Sequence, residues 1–148
     1  MSRADFKFYF SHRIRYHEVD RQDVVFNGHY LTYFSTAIVE FLRELGSDYY
    51  AGSSSSESAI DFHIVKSLVE YRAPIRFDQE IEVFIRVARV GRSSLTYAAE
   101  IHPRGEERLL ASSEIVWAAA DQRSHKSVPV PEQLVRRLNE YQASEKAE

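Results

Sequence analysis

Between Tyr30 and Leu42 the chain carries a single charge, Glu40, although charged residues make up 28% of the whole. Leu31, Phe34, Ile38, Phe41 or Leu42, and Leu45 recur there at spacings of three and four, the periodicity of a helix. The spacing predicts a helix over Tyr30–Leu45, with Asn27-Gly28 before it, Asn27 as candidate cap, and Gly46 as the residue that stops it. A helix apolar nearly all round must be enclosed by other elements, and that requirement limits the fold more than anything else in the chain.

The flanking segments supply the enclosure. Phe6–Val19 reads as extended, with Phe8, Phe10, His12, Ile14 and Tyr16 on one side at period two. Ser47–Ser58, with its Gly-Ser-Ser-Ser-Ser stretch, reads as a loop and a candidate for disorder. Strand-like runs follow at Phe62–Ala73, Gln79–Val90, Ser93–His102 and Arg108–Ala120. Short turns between them favour antiparallel pairing of consecutive strands, hence a four-stranded meander. Glu132–Tyr141 reads as a short amphipathic helix, and Gln142–Glu148 as a fraying tail. The expected architecture is α+β: a long central helix wrapped by an antiparallel sheet of about five strands, in one domain over residues 1–148.

Composition narrows the function. Cysteine is absent, which excludes disulfides, iron–sulfur clusters and a thiolate nucleophile, and fits a cytoplasmic location. The net charge of −3 argues against nucleic acid and anionic membrane as partners. No apolar run has membrane-spanning length, and Met1–Phe10 is charged where a signal peptide is apolar. Phosphate-binding glycine loops and the G-x-S-x-G elbow are missing. His17-Glu18 is followed by Arg21 where a zincin needs histidine. A metal site from His17, Asp20, Asp23 and His29 would need an irregular segment to converge, so no metal is expected.

Chemistry concentrates in Arg13–Leu45. Asp20 and Asp23 precede the helix, and the apolar Val24, Val25 and Phe26 after them indicate a loop that packs inward. An acid there lies near the free N–H groups of the helix start, where partial positive charge collects. A carboxylate beside backbone donors is the equipment of acyl transfer, although an aspartate before a helix is more often a cap or a solvated loop acid.

The segment resembles the hotdog-fold acyl-CoA thioesterases of the 4-hydroxybenzoyl-CoA thioesterase type. The resemblance rests on Arg13-Ile14-Arg15-Tyr16, Asp20, Val24-Val25-Phe26, Tyr30-Leu31 and Tyr33-Phe34, and continues in Tyr71-Arg72-Ala73-Pro74, Phe77-Asp78, Gly91-Arg92-Ser93-Ser94-Leu95 and Val128-Pro129-Val130-Pro131. It implies a hotdog fold and hydrolysis of a small-molecule acyl-CoA to the acid and free coenzyme A. Asp20 then holds the catalytic position, as nucleophile or general base, and the backbone N–H of Asn27 or Gly28 is the oxyanion donor. Val25, Phe26, His29 and Tyr30 are the implied substrate contacts around this turn, with His63 on the following strand. Asp23 stands where the family usually has Gly, Asn27 where many members have His, and His29 where many have Asn.

Arg89, Arg92, Ser93 and Ser94 bracket Gly91 at a strand turn, where guanidinium and N–H groups suit the phosphates of coenzyme A. The implied site lies at a subunit interface, so a homodimer or homotetramer is expected. No cofactor is expected, since coenzyme A is part of the substrate. Two alternatives stand beside hydrolysis. One is a dehydratase or hydratase of the same fold, pairing His29 with Asp23 or Glu40. The other is a non-catalytic acyl-CoA-binding protein.

Overall fold

The computed structural model describes residues 2–47 and 60–144. In chain order it contains β1 (Phe8–Arg13), α1 (His29–Glu44), β2 (Ile60–Tyr71), β3 (Glu80–Val90), β4 (Ser94–Pro103), β5 (Ala111–Asp121) and α2 (Glu132–Ala143), with one-turn 3-10 helices at Arg3–Asp5 and Tyr16–Glu18. The candidate disordered loop lies outside the described residues apart from Ser47. So does the tail from 145 onward, but Gln142 and Ala143 complete α2, and Gln142 Oε1 accepts the Val87 N–H at 3.3 Å. Among the described residues no helix is long and apolar enough to cross a membrane.

The strands form one sheet in the order β1-β3-β4-β5-β2, with every neighbouring pair antiparallel. The expected meander holds for β3, β4 and β5 but not for β2, which pairs with β5 rather than β3. The connection from β2 to β3, residues 72–79, is longer than a hairpin turn requires. It is also pinned midway, because Ile75 is fully buried and its carbonyl accepts the Val25 N–H at 2.8 Å. The chain therefore crosses the end of the sheet, and β1 takes the vacant edge of β3.

Helix α1 lies against β1 and β3. Its buried face is Tyr30, Tyr33, Phe34, Ala37, Ile38, Phe41 and Leu42. The Phe41 ring meets Phe8, Tyr97 and Tyr141 at centroid distances of 5.5, 6.4 and 5.7 Å. Leu31, expected in the buried stripe, is exposed instead, so the described residues enclose the helix only in part. Gly46 at φ +76 closes the C-terminus: its N–H reaches the Arg43 carbonyl at 3.0 Å, and the Ser47 N–H reaches Leu42 at 3.1 Å. At the other end Gly28 is the cap residue and no side chain caps the helix, so Asn27 does not play the expected role.

The face of the sheet away from α1 is partly covered as well. Phe84 packs against Phe6 at 5.7 Å, and Glu82 takes an ion pair from Arg3 at 2.7 Å, so the N-terminal segment buries positions whose alternation suggests solvent. Tyr16 departs from its expected side. The 3-10 turn Tyr16–Glu18 breaks the period-two pattern, and the ring stays exposed, edge-on to Phe77 at 5.8 Å.

Candidate active site

The segment between the Tyr16–Glu18 turn and α1 forms a small hairpin. The Asp20 N–H donates to the Val24 carbonyl at 2.8 Å, the Asp23 N–H to the Asp20 carbonyl at 3.0 Å, and Val19 pairs with Val25 across the base. Asp23 occupies the left-handed region at φ +61, which glycine enters freely and aspartate tolerates better than most residues. A glycine at this position, as in the resembling family, would adopt that conformation without strain. Asp23 points to solvent, whereas Asp20 is half-buried. One oxygen of Asp20, Oδ1, accepts the Gln22 N–H at 2.7 Å. Among the described residues nothing is bonded to Oδ2.

The entry to α1 is made by backbone. The Phe26 carbonyl accepts the His29 N–H at 3.0 Å. The Asn27 carbonyl accepts the Tyr30 N–H at 3.3 Å and the Tyr71 hydroxyl at 3.2 Å. Among the described residues no group accepts from the N–H of Asn27 or of Gly28, which leaves donors at the positive end of the helix dipole. The Phe26 ring lies over Gly28, where a Cβ would come within 2.9 Å of it, and meets His29 edge-on at 5.7 Å.

Asp20, Val25, Asn27 and Tyr30 line one cleft of about 360 Å³, together with Tyr71, Arg72, Ala73 and Pro74. The Tyr30 ring stands 4.8 Å from Tyr71. Burial, and then its neighbour Tyr71, push the Tyr30 hydroxyl above its ordinary pKa, so it serves as a neutral wall. Four of the expected residues thus converge, with Phe26, Gly28 and His29 beside them at the helix entry.

His63, Arg89, Arg92, Ser93 and Ser94 do not join them in the chain. His63 and Ser94 both stand opposite Ala118, whereas Tyr71 stands opposite Ala111. At strand rise that separation is roughly 23 Å along β5. The Gly91 turn is tied instead to the approach to α2, through the Val130 N–H on the Arg92 carbonyl at 2.9 Å. Glu40 lies further along α1, with Arg43 at 3.7 Å, and lines a different cleft with Phe8 and Phe10.

One residue of the segment has a place that no motif announces. Glu18 is only 6% exposed. Its Oε1 accepts the Tyr33 hydroxyl at 2.6 Å and His12 Nε2 at 2.7 Å, and its Oε2 accepts the Arg15 N–H. Burial pushes this carboxyl up. The hydrogen bonds from Tyr33, the Arg15 backbone and His12 outweigh that and hold it below its ordinary value. The available signal in the sequence is indirect: His12 on the inward side of its strand and Tyr33 in the helix stripe both bring polar tips to buried positions, and such tips need a partner.

An antiparallel five-stranded sheet with a helix packed on it is the hotdog arrangement. Residues 14–138 match the family model of the thioesterase-like superfamily, and the chain belongs to that family. The acyl-CoA thioester hydrolase YbgC of Escherichia coli is 25% identical over 123 residues, covering 83% of this chain and 89% of that protein. The crystal structure of the PA5185 protein of Pseudomonas aeruginosa superposes with a TM-score of 0.83 at 29% identity, over 94% of both chains. A 1,4-dihydroxy-2-naphthoyl-CoA thioesterase from Synechocystis shares the fold with a TM-score of 0.79 at 14% identity, over 89% of this chain and 95% of that one.

Because the left-handed turn, and not its charge, explains residue 23, Asp23→Gly is expected to keep or raise stability, by up to about 1 kcal/mol. Asp23→Val should lower it by about 1–2 kcal/mol, since a β-branched residue fits that region poorly. Urea unfolding of the two variants checks both.

Proposed function

We propose that the protein hydrolyses the thioester of a small-molecule acyl-CoA, releasing the acid and free coenzyme A. The observation that carries this is the convergence of Asp20 and Asn27 on one cleft beside the free N–H groups of Asn27 and Gly28. The thioester carbonyl sits at the start of α1, where a backbone donor stabilises the oxyanion, a contribution typically of about 3–4 kcal/mol. Asp20 acts in one of two ways. As base it takes a proton from water while that water adds to the carbonyl. As nucleophile it forms a mixed anhydride that water then cleaves. In both, the C–S bond breaks and the sulfur leaves as thiolate, to be protonated. A thioester is already an activated acyl group, so this chemistry calls for no metal or redox cofactor. The family membership and the 25% identity to a named acyl-CoA thioester hydrolase support the reading. The hydratase alternative is weaker, because Asp23 points to solvent and Glu40 stands with Arg43 well along α1, so neither joins His29.

The active form we propose is a homodimer, with a homotetramer as its further assembly. Strand β2 is an edge of the sheet, and it exposes Ile64, Val65 and Leu68 by 52%, 63% and 49%. A long apolar edge of this kind favours pairing with another chain. Two-fold pairing of β2 with its copy continues the sheet antiparallel. It also turns the Gly91 end of one subunit toward the Asp20 end of the other. Arg89, Arg92, Ser93 and Ser94 then serve the partner's site as contacts for coenzyme A phosphates, with His63 near them.

Three measurements follow from this mechanism. With a panel of aromatic, short, medium and long acyl-CoAs and free-thiol release as readout, Asp20→Asn should lower kcat by about 100-fold or more while ester binding persists. A kcat within a fewfold of wild type removes Asp20 from the role, and a wild type without turnover leaves the binding-protein alternative. Replacing Arg89 and Arg92 by Ala should raise KM for every acyl-CoA and leave truncated pantetheine esters nearly unchanged. Equal loss on the truncated esters refutes the phosphate role. Light scattering should give a mass at least twice the 17.2 kDa of one chain, shifted toward one chain by Ile64→Lys; a stable, active single chain defeats the shared site.

A further inference from the structure

The hairpin that carries Asp20 is tied to the connection after β2, by the Val25 N–H on the Ile75 carbonyl at 2.8 Å and the pairing of Val24 with Arg76, and to β1 and α1 through Glu18. Its free end is closed by backbone bonds and by the Gln22 N–H on Asp20 Oδ1 at 2.7 Å, and its base by the Phe26 N–H on the Glu18 carbonyl at 3.0 Å. The same residue, Glu18, sends its side chain the other way into the interior, where it meets the Tyr33 hydroxyl on the first turns of α1, His12 on β1 and the Arg15 N–H at the start of the 3-10 turn. Each of these groups donates to a single carboxylate. A carboxylate so placed joins the strand, the turn and the helix at one point, two residues before Asp20. The His12 and Tyr33 rings are also packed together, with centroids 5.1 Å apart, so the donors cannot readily move off the acceptor.

We propose that Glu18 is the positioning residue of the site: its carboxylate, held by Tyr33, His12 and the Arg15 backbone, sets where the Asp20 hairpin stands relative to the N-terminus of α1. This rests on the reading of Asp20 and the Asn27–Gly28 donors as the reacting groups. Acyl transfer requires the carboxylate and the oxyanion donors to face one carbonyl from two different segments, and small misplacements between such groups cost rate without costing affinity. Among the described residues no hydrogen bond of the Glu18 side chain goes to a residue lining the cleft, so its effect passes through the backbone of residues 18–26. Glutamine in its place keeps one carbonyl acceptor for three donors and turns an amide N–H₂ toward the rest, so that Tyr33 or His12 must reverse its role or the Arg15 N–H loses its acceptor, which weakens the junction while preserving volume. Tyr33→Phe removes one donor and leaves the carboxylate and the ring packing, a milder change that should fold even if Glu18→Gln does not.

Two readouts test this on the full-length protein. In both variants, amide hydrogen exchange across residues 20–26 should accelerate by about tenfold or more, while β3 and β4 change by less than about twofold. In the same variants kcat for acyl-CoA should fall by about tenfold or more with KM within about threefold. Glu18→Asp, which restores the charge, should recover part of the loss. Unchanged exchange at 20–26, acceleration spread equally over β3 and β4, or a kcat within about threefold of wild type overturns the proposal. If wild type releases no thiol from any ester, the thioesterase reading fails, and the exchange pattern alone then decides whether Glu18 holds the hairpin.

Discussion

The structure depends on covering one face of α1. Phe34, Ala37, Ile38, Phe41 and Leu42 are almost completely removed from water, and the strands they rest on supply Ile81, Val83, Ile85, Tyr97 and Ile101 from the facing side of the sheet. Burial of aliphatic and aromatic side chains at this density stabilises each by roughly 1.5–3 kcal/mol. Once the helix lies against β1 and β3, its N-terminus is committed to one end of the sheet. That is the end where β2 stops and the connection to β3 crosses.

The crossing links the fold to the site. Ile75 sits midway along it, buried, with its carbonyl on the Val25 N–H, and Val24 pairs with Arg76 next to it. The acidic hairpin is therefore held between the helix it leads into and the connection that passes beneath it. Tyr71, at the end of β2, adds its hydroxyl to the Asn27 carbonyl and its ring to Tyr30. The cleft lies where three chain segments from distant parts of the sequence are held together by backbone hydrogen bonds. Its shape follows from the covered helix face more than from any local motif.

The two acids of the proposed site differ in their surroundings. Asp20 is half-buried, and among the described residues one of its oxygens has no partner, which suits the reacting role proposed for it. Glu18, two residues earlier, is buried with both oxygens occupied, the condition of a group that has to stay where it is. Burial and its contact with the Glu18 carboxylate both push the Tyr33 hydroxyl upward in pKa, so it remains a donor.

The helix, its glycine stop and the strand alternation were legible in the sequence because each rests on spacing between near neighbours: Phe34 to Ile38, Leu45 to Gly46, Ile81 to Ile85. Asp20 and the helix entry were legible for the same reason, being a few residues apart. The partner of β2 was not, because pairing is decided by which edge is left vacant, and β1 had already taken that of β3. Asn27 could be read as a cap by residue type, yet the backbone satisfied the helix start without its side chain. The burial of Glu18 was not legible because its three donors come from positions 12, 15 and 33, which only folding brings together. By itself the sequence determined a buried helix, an antiparallel sheet and an acid at the helix entry, since local periodicity and turn chemistry specify those. Only the tertiary structure decided the strand order, the separation of the Gly91 turn from Asp20 and the clamp on Glu18, since these depend on which distant surfaces meet once the helix is covered.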